Sequence, residues 1–175
     1  MIVADLLAEL VAFPTQQSGP ERPAGDERAL CEYLAPLVRA AGADELVVEQ
    51  VARKDGDPGA YLFARWGRPH RVINVHLDTV PANAGWARDP WSPYIADGKL
   101  YGLGAADTKG AIAAALVAVE ATRPRDFGLV FSGDEERGSA IVRAFLASPH
   151  AAPIREVIVC EPTARTAACS ASSRG

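Results

Sequence analysis

Four short segments of this 175-residue chain place acidic residues, and in one case a histidine, directly after apolar or glycine-rich runs. In "VINVHLDTVP" (residues 72–81), His76 and Asp78 leave an apolar run two residues apart. "DGKLYGLGAADTKGA" (residues 97–111) is centred on Asp107. "GLVFSGDEERG" (residues 128–138) ends a strand-like run in Asp134, Glu135 and Glu136, and "EVIVCEPT" (residues 156–163) puts Glu161 after another. Imidazole and carboxylates are the donors that suit Zn2+, with Co2+ or Mn2+ as substitutes. A cation of this kind also brings the pKa of water to about 7, where a neighbouring carboxylate suffices as general base.

Each segment alone has a plainer reading. "HLD" makes a polar strand end, and Asp107 before a helix makes an N-cap. "DEER" makes a solvated acidic turn, and Glu161 before Pro162 is equally ambiguous. Together they are harder to dismiss. Alternation puts His76 and Asp78 on one face of their strand, where Asp78 can accept the second N–H of the ring and fix its tautomer. Asp107 has two oxygens with which to bridge two cations. Glu135 and Glu136 are adjacent like charges, costly to bury without a cation; one can bind metal while the other takes a proton from water.

Positioning these groups at one place requires a sheet whose strands end together. Apolar periodicity predicts helices over residues 2–12 and 27–41, the second containing Pro36 and closed by Gly42. "ELVVEQVA" and "AYLFARW" read as strands joined by "RKDGDPG", and "RVINVH", "FGLVFS" and "EVIVCE" as further strands. An Ala-rich helix starts near Lys109, its N–H groups facing Asp107, and another helix is expected over residues 136–148. Strands alternating with helices predict a three-layer α/β sandwich with a mixed, largely parallel central sheet. Ligands bind such sheets beyond the carboxyl ends of the strands, where His76, Glu135, Glu136 and Glu161 lie. "PTQQSGPERPAGDE" reads as a loop beside that edge.

Composition narrows the class. The net charge of −4 lacks the basic excess of a nucleic-acid binder, and no apolar run approaches the ~20 residues of a membrane span. The first residues carry Asp5 and Glu9 rather than a basic leader, so they do not read as a signal peptide. Cys31, Cys160 and Cys169 are scattered, without metal-type spacing, which fits a reducing cytoplasm. "GLGAAD" is not a dinucleotide fingerprint, because no buried strand precedes it and Asp107 stands at the third glycine position. His70 and His150, each beside a proline, read as surface residues. After Thr163, "ARTAACSASSRG" lacks periodicity and reads as a disordered tail over residues 164–175.

"HLDTVP", "GWARDPWSPYIADGKLYGLGAADTKGA", "SGDEERGS" and "CEPT" stand in the order and approximate spacing of the M20 family of zinc metallopeptidases and amidohydrolases. The chain resembles most the branch containing acetylornithine deacetylase and succinyl-diaminopimelate desuccinylase. The resemblance implies a centre of two zinc ions. In it His76 and Glu161 hold the first, Asp107 bridges, Glu136 holds the second, Glu135 is the general base, and Asp78 steadies His76. It further implies a cis peptide at Asp107–Thr108. The implied substrate is a small N-acetylated amino acid such as N-acetylornithine or N-acetylcitrulline, cleaved to acetate and the free amino acid in arginine biosynthesis. Family members, often homodimers, continue past the Glu161 motif with a lid or dimerisation domain and return with a histidine for the second zinc. The expectation is therefore that residues 1–163 are the N-terminal part of a catalytic domain, without lid or returning segment, and that the sheet exposes an apolar edge prone to association.

Overall fold

The computed structural model describes residues 1–19, 23–54 and 56–162; the expected tail and Cys169 lie outside them. In chain order the elements are α1 (Val3–Val11), α2 (Glu27–Ala40), β1 (Glu45–Val51), β2 (Gly59–Trp66), β3 (Arg71–His76), β4 (Tyr94–Ala96), β5 (Lys99–Tyr101), α3 (Gly110–Thr122), β6 (Phe127–Ser132), α4 (Ala140–Ala147) and β7 (Glu156–Val159). The main sheet has the order β1-β2-β6-β3-β7. β1 and β2 pair antiparallel, as do β2 and β6, whereas β6, β3 and β7 run parallel. The sheet is thus mixed, and its parallel part is the part that ends at the candidate site.

Period-two alternation divides the core between the two faces of this sheet. Leu62, Ala64, Leu129 and Phe131 face α1, α2 and α3, packing with Leu10, Leu34, Val38 and Leu116. Their neighbours Tyr61, Phe63 and Val130 face the other way and pack with Ile141 and Phe145 of α4. Helices on both faces make the three-layer α/β sandwich that the sequence predicts. α2 is capped by Asp26, whose side chain accepts the Ala29 N–H at 2.9 Å, and runs through Pro36 before Gly42 (φ 87°) ends it in the left-handed region.

Two elements differ from expectation. "YIADGKLY" forms the hairpin β4–β5, in which Asp97 (φ 51°) and Gly98 (φ 69°) make the tight turn that Asp-Gly favours. α4 begins at Ala140 rather than Glu136. Asp134 (φ 65°) and Ser139 (φ 58°) turn the chain out of helical conformation, and the Asp134 carboxylate accepts the Ala140 N–H at 2.7 Å. Residues 134–139 are held as a turn by the site. No helix among the described residues is long and apolar enough to cross a membrane.

β7 is an edge strand with Val157, Ile158 and Val159 at 48%, 64% and 56% exposure. Unpaired backbone beside exposed β-branched residues favours edge-to-edge association. Concentration-dependent association is expected in sedimentation velocity, and Ile158→Lys is expected to reduce it. A chain that stays monomeric at every concentration contradicts this.

Candidate metal centre

The site is assembled where β3, β6 and β7 end together. Parallel pairing sets His76 beside Ser132 and Asn74 beside Val159, so the residues following each strand emerge at one edge. His76, the buried last residue of β3, has Nδ1 2.8 Å from the backbone oxygen of Asp78. A carbonyl only accepts, so Nδ1 carries hydrogen and Nε2 is the atom presented to the acidic residues. Nε2 lies 2.9 Å from Asp107 Oδ1 and 3.8 Å from Glu161 Oε2. Donor atoms of His76, Asp107 and Glu136 all lie within 4.8 Å of one another.

Asp107 belongs to an irregular turn, Ala105–Lys109, just before α3, and its peptide bond to Thr108 is cis. Thr108 Oγ1 donates to the His76 carbonyl at 3.2 Å and the buried Lys109 Nζ donates to the Phe13 carbonyl at 2.6 Å. The turn is therefore tied to both β3 and the end of α1.

Asp78 is placed differently from the expected carboxylate–imidazole pair. Its backbone oxygen takes the Nδ1 hydrogen, while its carboxylate stands 3.6 Å from Nδ1. That carboxylate accepts the N–H groups of Glu135 and Glu136, each at 3.1 Å, and the Gln17 amide at 2.7 Å. Asp78 thus fixes the backbone carrying both glutamates. Glu135 is exposed and, with Glu161, borders a cavity of about 370 Å³ lined by Val130, Phe145 and Val159.

The electrostatics favour a cation. Burial, followed by the charge of Asp107, raises the pKa of Glu136; burial also raises that of Glu161, with Glu135 and Asp107 adding to it. Burial pulls the His76 pKa down, but Asp78, Asp107 and Glu161 outweigh it and leave the ring at about 9. Burial also opposes ionisation of Asp78, yet His76, the Glu135 N–H and Gln17 hold its carboxyl below the usual value. A divalent cation would relieve the crowding of carboxylates and replace the proton on Nε2. His76 Nε2 and Asp107 Oδ1, 2.9 Å apart, and a Glu136 carboxylate oxygen within 4.8 Å of both are donors of the chemical types that Zn2+ takes.

Four supporting residues were not singled out from the sequence as site residues: Gln17, Glu27, Arg53 and Asp134. All are buried. Gln17 Nε2 donates to Glu27 Oε1 (3.2 Å) as well as Asp78, and Gln17 Oε1 accepts from Arg53 (3.0 Å). Arg53 also donates to Asp134 Oδ1 at 2.9 Å. Glu27 accepts the Ala60 and Asp134 N–H groups at 2.9 and 3.2 Å. Gly133 was the available signal, because a Cβ there would lie 1.6 Å from Glu27 Oε2. Of the other two histidines, His70 is exposed, whereas His150 is half-buried, 3.2 Å from Glu45 and against Phe63.

Comparison with known proteins identifies the family. Residues 72–171 match the family described as Peptidase family M20/M25/M40. An N-acetyl-L-citrulline deacetylase from Xanthomonas campestris pv. campestris is 37% identical over 158 residues, covering 90% of this chain and 40% of that protein. A succinyl-diaminopimelate desuccinylase from Cereibacter sphaeroides is 36% identical over 172 residues, covering 90% and 42%. The crystal structure of human carnosine dipeptidase 1 superposes with a TM-score of 0.74 at 24% identity, over 91% of this chain and 38% of that one, a likeness of fold. The chain spans about two fifths of the length of these curated relatives.

Proposed function

The chain belongs to peptidase family M20/M25/M40, and from that premise we propose that its acidic edge is the metal centre of an amide hydrolase acting on a small N-acylated amino acid. The convergence of His76, Asp107 and Glu136 donors within 4.8 Å is the observation that carries this reading. In the proposal His76 and Glu161 would hold one Zn2+ and Glu136 a second, with Asp107 shared between them. Zn2+ bound there supplies Lewis acidity toward an amide carbonyl and lowers the pKa of water. Glu135 accepts the proton of the attacking water on its carboxylate and returns it to the leaving amine. The Asp78 carbonyl keeps hydrogen on His76 Nδ1, so that Nε2 offers its lone pair. The Asp78 carboxylate holds Glu135 and Glu136 in register through their backbone N–H groups.

The deacetylase relative favours N-acetylcitrulline; with that substrate, or with N-acetylornithine, the reaction would belong to arginine biosynthesis. One further observation supports a second reading. Among the described residues His76 is the only imidazole in the donor cluster, so the chain would bind metal without turning substrate over.

Calorimetric titration with Zn2+, with hydrolysis followed in the same samples, separates the two. The substrates are N-acetylornithine, N-acetylcitrulline, succinyl-diaminopimelate and a dipeptide. Binding with preferred cleavage of an N-acetyl amino acid is the expected result. Binding without turnover selects the second reading, and no binding overturns both.

A further inference from the structure

The turn carrying Glu135 and Glu136 is not held by Asp78 alone. Its four successive N–H groups, from Gly133 to Glu136, are accepted in order by the Ala60 carbonyl (2.9 Å), Glu27 Oε1 (3.2 Å), Asp78 Oδ1 and Asp78 Oδ2 (3.1 Å each). Gln17 bridges the two acceptor side chains, donating to Glu27 Oε1 and Asp78 Oδ2, while Arg53 joins Gln17 Oε1 to Asp134 Oδ1. Glu27 fastens the assembly to the sheet by accepting the Ala60 N–H from β2. Gly133 lacks the Cβ atom that would exclude its carboxylate, whereas a Cβ at Gly59 would meet Ile141 first. A buried carboxylate that accepts two backbone N–H groups from different strand ends, with an amide and a guanidinium beside it, aligns those ends.

We propose that Glu27, through Gln17 and Arg53, is a positioning residue of the metal centre: it sets the Gly133–Glu136 turn on β2, and so sets where Glu136 and Glu135 stand relative to His76 and Asp107. This rests on the metal reading above. Partners that orient metal ligands without touching the ion typically change affinity by about ten- to a hundredfold when removed.

Co2+ is the probe, read both by affinity and by its visible absorption spectrum, which reports ligand geometry. Glu27→Ala is expected to weaken Co2+ binding by about ten- to a hundredfold and to alter the spectrum. Glu27→Gln, which keeps one acceptor oxygen, is expected to recover part of that loss. Val38→Ala, in the helical core away from the turn, is expected to lower the thermal midpoint with Co2+ affinity and spectrum unchanged, the behaviour of a purely structural residue. Should Glu27→Ala fail to fold, Gln17→Ala is read in the same way. Wild-type Co2+ affinity and spectrum in the folded variant overturn the inference while leaving the metal reading intact. Failure of the unsubstituted chain to bind Co2+ overturns both.

Discussion

Glu135→Gln is expected to lower amide hydrolysis by about 10²–10⁴-fold, the usual contribution of a general base, while Zn2+ affinity and thermal midpoint stay close to those of the parent chain. The substitution conserves size and leaves the backbone N–H that binds Asp78, so the turn keeps its place. What it removes is the carboxylate's capacity to take a proton. Glu135 is exposed at the mouth of the cavity, whereas Glu136, its neighbour, belongs to the donor cluster. The corresponding Glu136→Gln is expected to lose metal first and turnover in consequence. If Glu135→Gln instead releases metal and Glu136→Gln does not, the roles of the two glutamates are exchanged. An unchanged rate removes Glu135 from the chemistry.

Four of the candidate donors are legible in the sequence because each follows a strand-like apolar run. Strand periodicity places His76, Glu135, Glu136 and Glu161 at strand ends, and parallel pairing then brings those ends together. Asp107 was legible from the Ala-rich helix that begins just after it. What periodicity does not carry is the partnership of irregular segments. The sequence places the start of α4 too early because Glu136 and Arg137 are good helix formers directly before its apolar periodicity, and nothing local shows that Asp78, far away in the chain, captures the N–H groups of residues 135 and 136. In the sequence, Glu27 stands at the start of the expected helix over residues 27–41, where an acidic residue is ordinary. Its burial depends on the space that Gly133 leaves for it, and that glycine lies in another segment. Nor does "HLD" say whether the carboxylate or the backbone oxygen of Asp78 receives the imidazole hydrogen; the strand's exit direction decides that, and it gives the hydrogen to the backbone. The division has a physical basis. Candidate ligands at strand ends are ordered by secondary structure, whereas the groups that hold them are ordered by long-range hydrogen bonds between loops.

Gly133→Ala tests those long-range bonds without touching a donor atom. A Cβ at Gly133 would lie 1.6 Å from Glu27 Oε2 and 2.1 Å from its carboxyl carbon, a separation that no rotamer adjustment of a few tenths of an ångström relieves. Either Glu27 withdraws and leaves the Ala60 and Asp134 N–H groups unpaired, or the turn moves and carries Glu135 and Glu136 with it. Overpacking costs about 1–3 kcal/mol and leaving buried N–H donors unpaired about 1–3 kcal/mol. The expected loss in urea denaturation is therefore about 2–6 kcal/mol. Gly138→Ala, whose added Cβ comes no nearer than 3.8 Å to Asp134 Oδ2, is the matched control and is expected to change stability by less than about 1 kcal/mol. The double variant Glu27→Ala with Gly133→Ala decides the cause. If the clash with Glu27 is what destabilises Gly133→Ala, removing that side chain makes room for the methyl group. The double variant then unfolds at nearly the same urea concentration as Glu27→Ala alone, a strongly non-additive cycle. Additive losses would place the strain of Gly133→Ala elsewhere, and equal stability of Gly133→Ala and Gly138→Ala would separate Glu27 from the turn altogether.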